Sequence, residues 1–564
     1  MKPTDLCEVK PCFPESGTPA PPSKGRRGSV RATLLTGGAA MLMLGAGIVS
    51  LTWDTAVEDQ PGQTTFYNDI LDGSLEGQPV AVTDLNGDGF PDVVLCPFFS
   101  DSGPDRSRQF AGQVNVFLGN GGIGGVRAIA TEPAAGALKI YGPGFNADFG
   151  ARVAAGDVDG DGIGDLLVGA DERRNFINGV LVNPGKGRAY LIRGRAGISG
   201  AIDLASPPEN VTTILGVDDG DYTGTWVSLA DVDGDGRLDL LISVPGGDGP
   251  ANAGPTDVGE AVVVFNSRSG FPPVINLASP PKGVSVTRIF GIDAGDGFGG
   301  TIVGADLNGD GKADLAIGSR DGAFVTVGTD GPNNSRPGGG EVQVLRGGRL
   351  PASINLAAGL PRGTTTLYGA EAGGSFGEEL ITHTIITGNL PTLGIGALYS
   401  AQAFGEAWLV PASLAVSGRV IDMASPPAGV VHIIGPEFFS LAGDTLAAGD
   451  IDGDGFGDLL VGSPFAKTVR NGSGDGRVDV IYGQALWPAL INLAQPALGY
   501  RRAIIGAADK GDMLAYSMTA ADLDLDGRDD AVPNAMGSDG VRNRVRDSGG
   551  AYVISGAALS ARVP

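Results

Sequence analysis

Six short acidic segments recur along the chain, and their side chains are of the kind that bind a hard metal ion. Each follows the pattern Asp-x-Asp/Asn-x-Asp-Gly-x-x-Asp, which places side-chain oxygens at positions 1, 3, 5 and 9 and leaves a backbone carbonyl available at position 7. Ca²⁺ takes about 6–8 oxygen ligands in flexible loops, whereas Mg²⁺ requires stricter octahedral geometry. The pattern therefore predicts Ca²⁺, with up to six ions and one per loop.

The predicted ligands follow directly from the pattern, with position 7 contributing its carbonyl. In chain order they are Asp84, Asn86, Asp88, Phe90 and Asp92; Asp157, Asp159, Asp161, Ile163 and Asp165; Asp231, Asp233, Asp235, Arg237 and Asp239; Asp306, Asn308, Asp310, Lys312 and Asp314; Asp450, Asp452, Asp454, Phe456 and Asp458; and Asp522, Asp524, Asp526, Arg528 and Asp530.

EF-hand loops and ordinary turns share parts of this pattern. An EF-hand loop ends in a bidentate glutamate at position 12, between two helices, but here position 12 is always apolar, as at Leu95 and Val168, and the flanks are short strands. Asp and Gly also form ordinary turns, but six loops with one spacing exceed that explanation. The loops place 22 aspartates at ligand positions in a chain of net charge −25, which six Ca²⁺ ions would bring to −13.

The loops mark a repeat of about seventy residues. Successive loops start 73, 74, 75, 144 and 72 residues apart, and the 144-residue interval is two periods. A decayed copy fills that interval, with Thr384, Ile386, Gly388 and Thr392 where the acids should stand. The chain therefore contains seven repeats, one of which has lost its acidic loop.

Each repeat contains four short apolar strands, which predicts an all-β fold, a seven-bladed β-propeller of four-stranded blades. The 95 glycines and 37 prolines suit many short strands joined by turns. The last repeat stops after its third strand, and Thr64–Asp69 precedes the first loop at the spacing of a fourth strand. We therefore expect residues 64–564 to form the propeller, with this N-terminal strand closing the last blade.

The chain resembles the FG-GAP repeat family, including the N-terminal propellers of integrin α-subunits. The resemblance is carried by the acidic loops and by the Phe-Gly steps at Phe149-Gly150, Phe298-Gly299 and Phe376-Gly377. It implies a propeller whose loops bind Ca²⁺ between the first two strands of a blade. Six metal-competent loops and the lack of an Arg-Gly-Asp sequence or disulfide set depart from integrin subunits, so the resemblance implies an integrin-like module.

The N-terminus differs in composition from the repeats. Residues 1–31 form a polar, proline-rich tail containing basic residues, residues 32–53 carry no charge, and residues 54–63 are predicted to be a linker. The 22-residue uncharged run is long enough to cross a bilayer, which takes about 20 residues, and the flanking charges place the bulk of the chain outside the cytoplasm. A signal anchor, a cleaved export signal and a buried helix remain open. We expect a membrane-anchored cell-surface protein or a secreted or periplasmic one.

The longest connections join the second and third strands and emerge opposite the acidic loops. They carry arginines, and Arg542, Arg544 and Arg546 alternate so that an extended segment would point them to one side, beside Arg106 and Arg108. This predicts a ligand face for an extracellular protein or an anionic glycan. The net charge of −25 argues against a nucleic-acid partner.

Two functional classes remain. The first is a calcium-binding surface or secreted module for binding and adhesion. The second is a propeller-type hydrolase or lyase acting on an extracellular polymer or lipid headgroup. The sequence shows no nucleophile elbow or phosphate-binding motif, and its two histidines, His383 and His432, lack a recognisable catalytic partner. We therefore predict no catalytic residues and favour the binding module.

Overall fold

The computed structural model describes residues 54–56, 63–67, 79–129, 131, 133–172, 176–177, 180–181, 185–251, 257–319, 329–386, 389–467, 475–507, 511–538 and 549–561. The predicted polar tail 1–31 and uncharged segment 32–53 lie outside these residues. Among the residues described, no helix combines the length and hydropathy needed to cross a membrane.

Seven sheets confirm the seven-bladed propeller. In each sheet four consecutive strands pair antiparallel, because short connections between apolar strands favour a meander. From first to fourth, the strands are Val80–Thr83, Asp92–Leu95, Gln113–Phe117 and Ala137–Tyr141 in blade 1; Phe149–Gly156, Asp165–Ala170, Arg188–Ile192 and Val211–Leu215 in blade 2; Val227–Ala230, Asp239–Val244, Glu260–Phe265 and Ser285–Phe290 in blade 3; Phe298–Ala305, Asp314–Ser319, Glu341–Leu345 and Thr365–Tyr368 in blade 4; Phe376–His383, Thr392–Ala397, Glu406–Val410 and Val431–Ile434 in blade 5; Leu446–Gly449, Asp458–Ser463, Arg477–Ile481 and Arg502–Gly506 in blade 6; and Leu514–Ala521, Asp530–Ala535, Gly550–Ile554 and Gln63–Tyr67 in blade 7.

Every blade also has a fifth, outer strand, which the sequence pattern predicted only as a connection. In blades 1 to 5 this strand lies in the recurrent segment Ile-Asn/Asp-Leu/Met-Ala and pairs parallel with the fourth strand of the preceding blade, as Ile202 does with Ile140. Its Asn or Asp then turns the chain by accepting a backbone hydrogen bond, as Asp203 Oδ1 does from Ala205 N–H at 2.9 Å. The outer strands of blades 1 to 5 are Gly200–Asp203, Val274–Asn276, Ser353–Asn355, Val420–Asp422 and Leu490–Asn492.

Two N-terminal strands close the ring. Gln63–Tyr67 pairs antiparallel with Gly550–Ile554 and completes blade 7, which confirms the predicted closure. The strand Gly125–Ala128 of the first repeat is the outer strand of that blade. Asp54–Ala56, within the predicted linker, pairs parallel with Arg502–Gly506 as the outer strand of blade 6. The physical reason is that the third strand of the last repeat is followed by the helix Gly556–Ser560 where other repeats supply an outer strand, which leaves that edge for the N-terminal chain to cover.

The remaining elements are short and lie in the connections. They are the helices Ser400–Ala403, Ala412–Ala415 and Gly556–Ser560, the 3₁₀ turn Leu356–Ala358, and the two-residue strand pairs Phe176–Ile177 with Val180–Leu181 and Thr329–Asp330 with Arg336–Pro337.

The hydrophobic core fills the joints between neighbouring sheets. Phe149, Phe298 and Phe376 of the Phe-Gly steps are at most 1% exposed, and Phe149 packs edge-on against Tyr190 with ring centroids 5.6 Å apart. The glycine of each step is needed because backbones meet there: a Cβ on Gly299 would lie 2.1 Å from the carbonyl oxygen of Glu260. The Phe-Gly steps therefore fix the spacing between blades.

An ion pair spans the central channel, which the first strands enclose with a volume of about 440 Å³. Arg152 of blade 2 donates to both carboxylate oxygens of Glu379 of blade 5, at 2.8 and 3.0 Å. The Arg152 guanidinium carbon lies 3.3 Å from the centroid of the Trp226 ring. Both charged residues stand three positions after the Phe of a Phe-Gly step, so equivalent places in two repeats have acquired opposite charges.

Replacing Glu379 with Gln should destabilise the propeller, because the Arg152 charge would lose its buried counter-ion. We expect a loss of about 1–3 kcal/mol in the free energy of unfolding, measured by chemical denaturation. Glu209→Gln, at an exposed position, is the matched control and should leave stability unchanged. Equal stability of the two variants would show that the ion pair does not brace the ring.

Candidate metal centres

All six acidic loops adopt one conformation, which the first aspartate organises. Asp84 accepts the N–H of Asp88 at Oδ1 and the N–H of Gly89 at Oδ2, at 3.1 and 2.8 Å. The equivalent pair of bonds is present in the other five loops. The glycine at position 6 has φ between 80° and 88° throughout, a region that costs other residues a Cβ clash. The spacing of the pattern is thus the spacing of this turn.

The last aspartate of each loop ties the loop to the rest of its blade. Asp92 is fully buried, and its carboxylate accepts the N–H of Leu85 within the loop at 2.9 Å and that of Gly119, just after the third strand, at 2.7 Å. The bond to the residue just after the third strand recurs in all six blades. This aspartate therefore has a structural role as well as facing the predicted ion.

Burial makes the ionised form of this last aspartate unfavourable. Desolvation is the largest cause, and it raises the pKa to about 6 at Asp92 and Asp165, to about 7 at Asp239 and Asp530, and to about 8 at Asp458, while that of Asp314 is also raised. Neighbouring aspartates add to the shift by like-charge repulsion. A bound cation would act in the opposite sense, because it favours ionised carboxylates.

Four loops bring three carboxylates together. In each, one oxygen from the aspartates at positions 1, 3 and 9 lies within 4.8 Å of the other two; the clusters are Asp157, Asp159 and Asp165; Asp231, Asp233 and Asp239; Asp450, Asp452 and Asp458; and Asp522, Asp524 and Asp530. Three position-3 oxygens, Oδ1 of Asp233, Asp452 and Asp524, are buried without a hydrogen-bond partner. Buried oxygens of this kind require a partner, and a Ca²⁺ ion at the cluster fits that requirement.

The two loops with Asn at position 3 are arranged differently. Asn308 donates from Nδ2 to both oxygens of Asp314, at 3.0 and 2.8 Å. Asn86 donates from Nδ2 to Asp88 at 3.0 Å. An ion bound through the amide oxygen would require these side chains to turn round, so cation binding competes with internal hydrogen bonds in these two loops.

The decayed loop of the fifth repeat retains one structural bond without the charge. The Thr392 hydroxyl, at position 9, accepts the N–H of Ile386 at 3.1 Å. Thr384 accepts through its carbonyl the N–H of Gly457 in the next blade at 3.2 Å, while Gly388 lies outside the described residues. The alignment of this repeat therefore holds where the structure describes it.

Neighbouring loops are hydrogen-bonded to one another. The carbonyl of Asp84 at position 1 accepts the N–H of Gly164, at position 8 of the next loop, at 2.8 Å. The same bond joins Ala313 to Asp231 and Asp529 to Asp450. The candidate metal centres are consequently part of the joints between blades.

The predicted arginine face is only partly described. Arg542, Arg544 and Arg546 lie outside the described residues. Arg108 donates to both oxygens of Asp203 in the outer strand, at 2.5 and 2.7 Å, and to the Gly142 carbonyl at 3.0 Å. This hydrogen bond lowers the pKa of Asp203, so Arg108 fastens an outer strand, and its role toward a ligand, like that of Arg106, stays a prediction.

An equivalent Arg–Asp pair holds an outer strand three repeats later, and the sequence pattern did not predict it. Arg336 donates to both oxygens of Asp422 at 2.6 and 2.8 Å and to the Gly369 carbonyl at 2.7 Å. The available signal was the Asp in place of Asn in two of the recurrent Ile-Asn/Asp-Leu/Met-Ala segments. The histidine that lies in a fourth strand, His432, stacks on Trp408 with a centroid distance of 3.8 Å.

Comparison with known proteins agrees with this geometry. A model described as the FG-GAP repeat matches residues 149–192, 223–264 and 442–481. Integrin alpha-PS2 of Drosophila melanogaster is 27% identical over 257 residues, covering 45% of this chain and 16% of that protein. Phosphatidylinositol-glycan-specific phospholipase D is 28% identical in Dictyostelium discoideum, covering 38% of this chain and 22% of that protein, and 31% identical in Bos taurus, covering 30% and 18%.

The matched segments thus span less than a quarter of each of these relatives. The solved structure of exotype rhamnogalacturonan lyase YesX aligns with 90% of this chain and 75% of its own, with a TM-score of 0.37 and 14% identity.

Leu525 offers a direct test of the loop conformation. It stands at position 4, where the other five loops have glycine, and its φ is 60°. A left-handed φ costs a residue with a Cβ about 1–2 kcal/mol, so Leu525→Gly should stabilise the propeller by about 0.5–1 kcal/mol after the added chain entropy of glycine. The converse control, Gly160→Leu, should destabilise the propeller by about 1–2 kcal/mol through its left-handed φ. No atom lies within 4 Å of a Cβ there, so steric crowding does not add to this effect. Denaturant unfolding measures the stability of both variants. If Leu525→Gly destabilises the propeller, the left-handed conformation at position 4 of the loop is wrong.

Proposed function

We propose a function for this chain, which carries FG-GAP repeats in a seven-bladed β-propeller and is distantly homologous to integrin alpha subunits and to phosphatidylinositol-glycan-specific phospholipase D. It is a calcium-binding extracytoplasmic module for binding or adhesion. Ca²⁺ bound in the acidic loops stabilises the joints between blades at one end of the sheets. The connections at the opposite end carry the partner-binding surface.

The observation that carries the calcium proposal is the set of three buried, unpartnered carboxylate oxygens in clusters of three aspartates. Such oxygens are costly to bury without a cation. Four all-aspartate clusters are the strongest candidates, and the two Asn-containing loops bring the proposed number to six. The ligands are the aspartates at positions 1, 3, 5 and 9, the asparagines at position 3 of two loops and the carbonyl at position 7.

The binding role is supported by how the connections are distributed. Successive strands of each meander run in opposite directions, so the connections from second to third strand lie at the opposite end from the acidic loops. They are long, as at 96–112 in blade 1 and 320–340 in blade 4, and such connections on a rigid scaffold usually carry binding specificity. An extracellular protein or an anionic glycan remains the proposed partner. Extracytoplasmic placement is supported by the uncharged run at 32–53 and its flanking charges.

A hydrolase acting on a lipid headgroup is the second candidate, because two of the relatives are named as phospholipases. The similarity covers less than a quarter of their length, and a propeller could serve such an enzyme as an accessory module. Release of phosphatidic acid from a glycosylphosphatidylinositol substrate by the purified chain would favour this candidate over the binding module.

Calcium should raise the thermal stability of the chain. An ion that binds only the folded state stabilises it by RT ln(1 + [L]/Kd), which is about 2.7 kcal/mol per site at a hundred times Kd. We expect the melting temperature in millimolar Ca²⁺ to exceed that in chelator, with equal Mg²⁺ giving a smaller rise. Calorimetry of unfolding measures the shift, and identical melting in Ca²⁺ and chelator would refute the proposal.

A single substitution should remove one ion. Asp233→Ala deletes a ligand whose Oδ1 is buried without a hydrogen-bond partner, so the stoichiometry in isothermal titration should fall by one Ca²⁺ while the other sites remain. Asp219→Ala, an exposed aspartate outside the loops, is the control and should keep the wild-type stoichiometry. An unchanged count in Asp233→Ala would exclude the third loop as a site.

A further inference from the structure

We propose that an aromatic patch on blades 5 and 6 docks a basic polypeptide segment whose apolar side chains insert among the rings. The patch consists of Tyr399, Phe404, Phe438, Phe439 and Phe465. These residues belong to connections from second to third strand and from fourth to first strand, which emerge at the end of the sheets opposite the acidic loops. The inference rests on the proposed binding function of that face and specifies the partner there.

The rings of the patch are exposed at a cost to the fold. Phe438 is 68% exposed and Phe439 52%. Four non-glycine residues of these connections have left-handed backbones, with φ of 62° at Phe439, 54° at Leu441, 51° at Ala401 and 64° at Ala403. The left-handed φ at the place of Leu441 recurs at Asp148, Tyr222, Ser375 and Met513 in other connections, so that backbone belongs to the fold. Exposed apolar rings, by contrast, gain nothing from folding. The propeller fold therefore does not require the exposed rings of the patch.

Comparison among the repeats makes the same point. At the place of Phe438 and Phe439, the connection between blades 3 and 4 has Ala294 and Gly295, and that between blades 4 and 5 has Ala372 and Gly373. Gly295 and Gly373 have positive φ, as Phe439 does. A small residue followed by glycine therefore satisfies the backbone, and the two phenylalanines are additions to it.

The arrangement of the rings favours a polypeptide over a sugar. Phe438 is tilted by 75° to Phe404 and by 40° to Phe439, and Phe439 by 47° to Phe465, at centroid distances between 5.8 and 6.5 Å. Rings at these angles offer an uneven apolar surface with gaps for aliphatic side chains. They do not offer the coplanar platform on which a sugar ring stacks.

Charge at the margin favours a basic partner. The carboxylates of Glu371 and Glu437 accept the backbone N–H groups of Ala401 and Lys467, which holds both acids beside the patch. Lys467 Nζ lies 3.7 Å from Glu437 Oε2. Lys and Arg of a partner therefore gain electrostatic attraction to these two carboxylates and cation–π contact with the rings. An anionic membrane surface would be repelled.

The test uses two synthetic twelve-residue peptides, one alternating Leu with Lys and one alternating Leu with Glu, and measures binding by fluorescence anisotropy in millimolar Ca²⁺ and 150 mM NaCl. The Lys peptide should bind the full chain and the Glu peptide should not. The double variant Phe438→Ala/Phe439→Gly carries the residues found in the connection between blades 3 and 4. It should weaken binding of the Lys peptide by at least about tenfold, without lowering the melting temperature. Phe145→Ala is the matched control, since Phe145 stands at the place of Phe438 between blades 1 and 2 and is 56% exposed; it should leave binding unchanged.

Equal binding of the Lys peptide by the wild type and the double variant would overturn the inference, as would equal binding of the two peptides. Binding to neutral phosphatidylcholine vesicles that is lost in the double variant, with no binding of the Lys peptide, would also overturn it in favour of a membrane contact. The melting response of the double variant to Ca²⁺ separates the two proposals. If Ca²⁺ raises the melting temperature but the Lys peptide does not bind, the proposed docking patch alone is refuted. If Ca²⁺ does not raise the melting temperature of the wild type, the calcium-binding function is refuted.

Discussion

The rest of the propeller depends on the hydrogen bonds made by the buried aspartate at position 9 of each acidic loop. Its carboxylate accepts a backbone N–H of its own loop in five of the six acidic loops and, in all six, another from the residue just after the third strand, as Asp165 does from Val158 and Gly194. It therefore links first, second and third strands in one blade. The same burial makes its negative charge expensive, as the raised pKa of Asp458 indicates. Structure and the proposed metal binding thus have a common origin, because the group that holds the blade together is also the one whose charge a bound cation would stabilise.

That coupling extends between blades. In the first, third, fifth and sixth repeats the carbonyl of the loop's first residue accepts an N–H of the next blade, as that of Asp450 does from Asp529, so these loops are part of the joints between blades. The fifth repeat shows what remains when the charge is lost: Thr392 keeps a bond to its loop with a neutral hydroxyl. That loop also keeps its joint to the next blade, because the Thr384 carbonyl accepts the N–H of Gly457.

The sequence predicted those features that recur in every repeat. The spacing of the acids predicted the turn made by Asp84 and its equivalents, and the period predicted seven blades. The missing fourth strand predicted closure by Thr64–Asp69, and the structure shows the strand Gln63–Tyr67 there. The outer strands escaped prediction although they also recur, because a three-residue strand such as Val274–Asn276 is too short for alternation to appear. Single long-range pairs were beyond reach for a different reason. Nothing in the neighbourhood of Arg152 indicates that Glu379, 227 positions away, stands across the channel.

Departures from the repeat are for this reason the most informative residues of the chain. Folding requires what the seven units share, namely the buried Phe-Gly steps, the loop turns and the outer strands. Arg152 and Glu379 occupy equivalent places that hold Trp226 in blade 3 and Thr445 in blade 6, and Phe438 and Phe439 replace a small residue and glycine. The first departure adds a bond between opposite blades, so it serves the scaffold. The second exposes apolar surface and places a phenylalanine at a left-handed φ. The connection between blades 1 and 2 also has an exposed phenylalanine, Phe145, but asparagine follows it. The pair of exposed phenylalanines is thus particular to the connection between blades 5 and 6, and the partner proposed there would account for it.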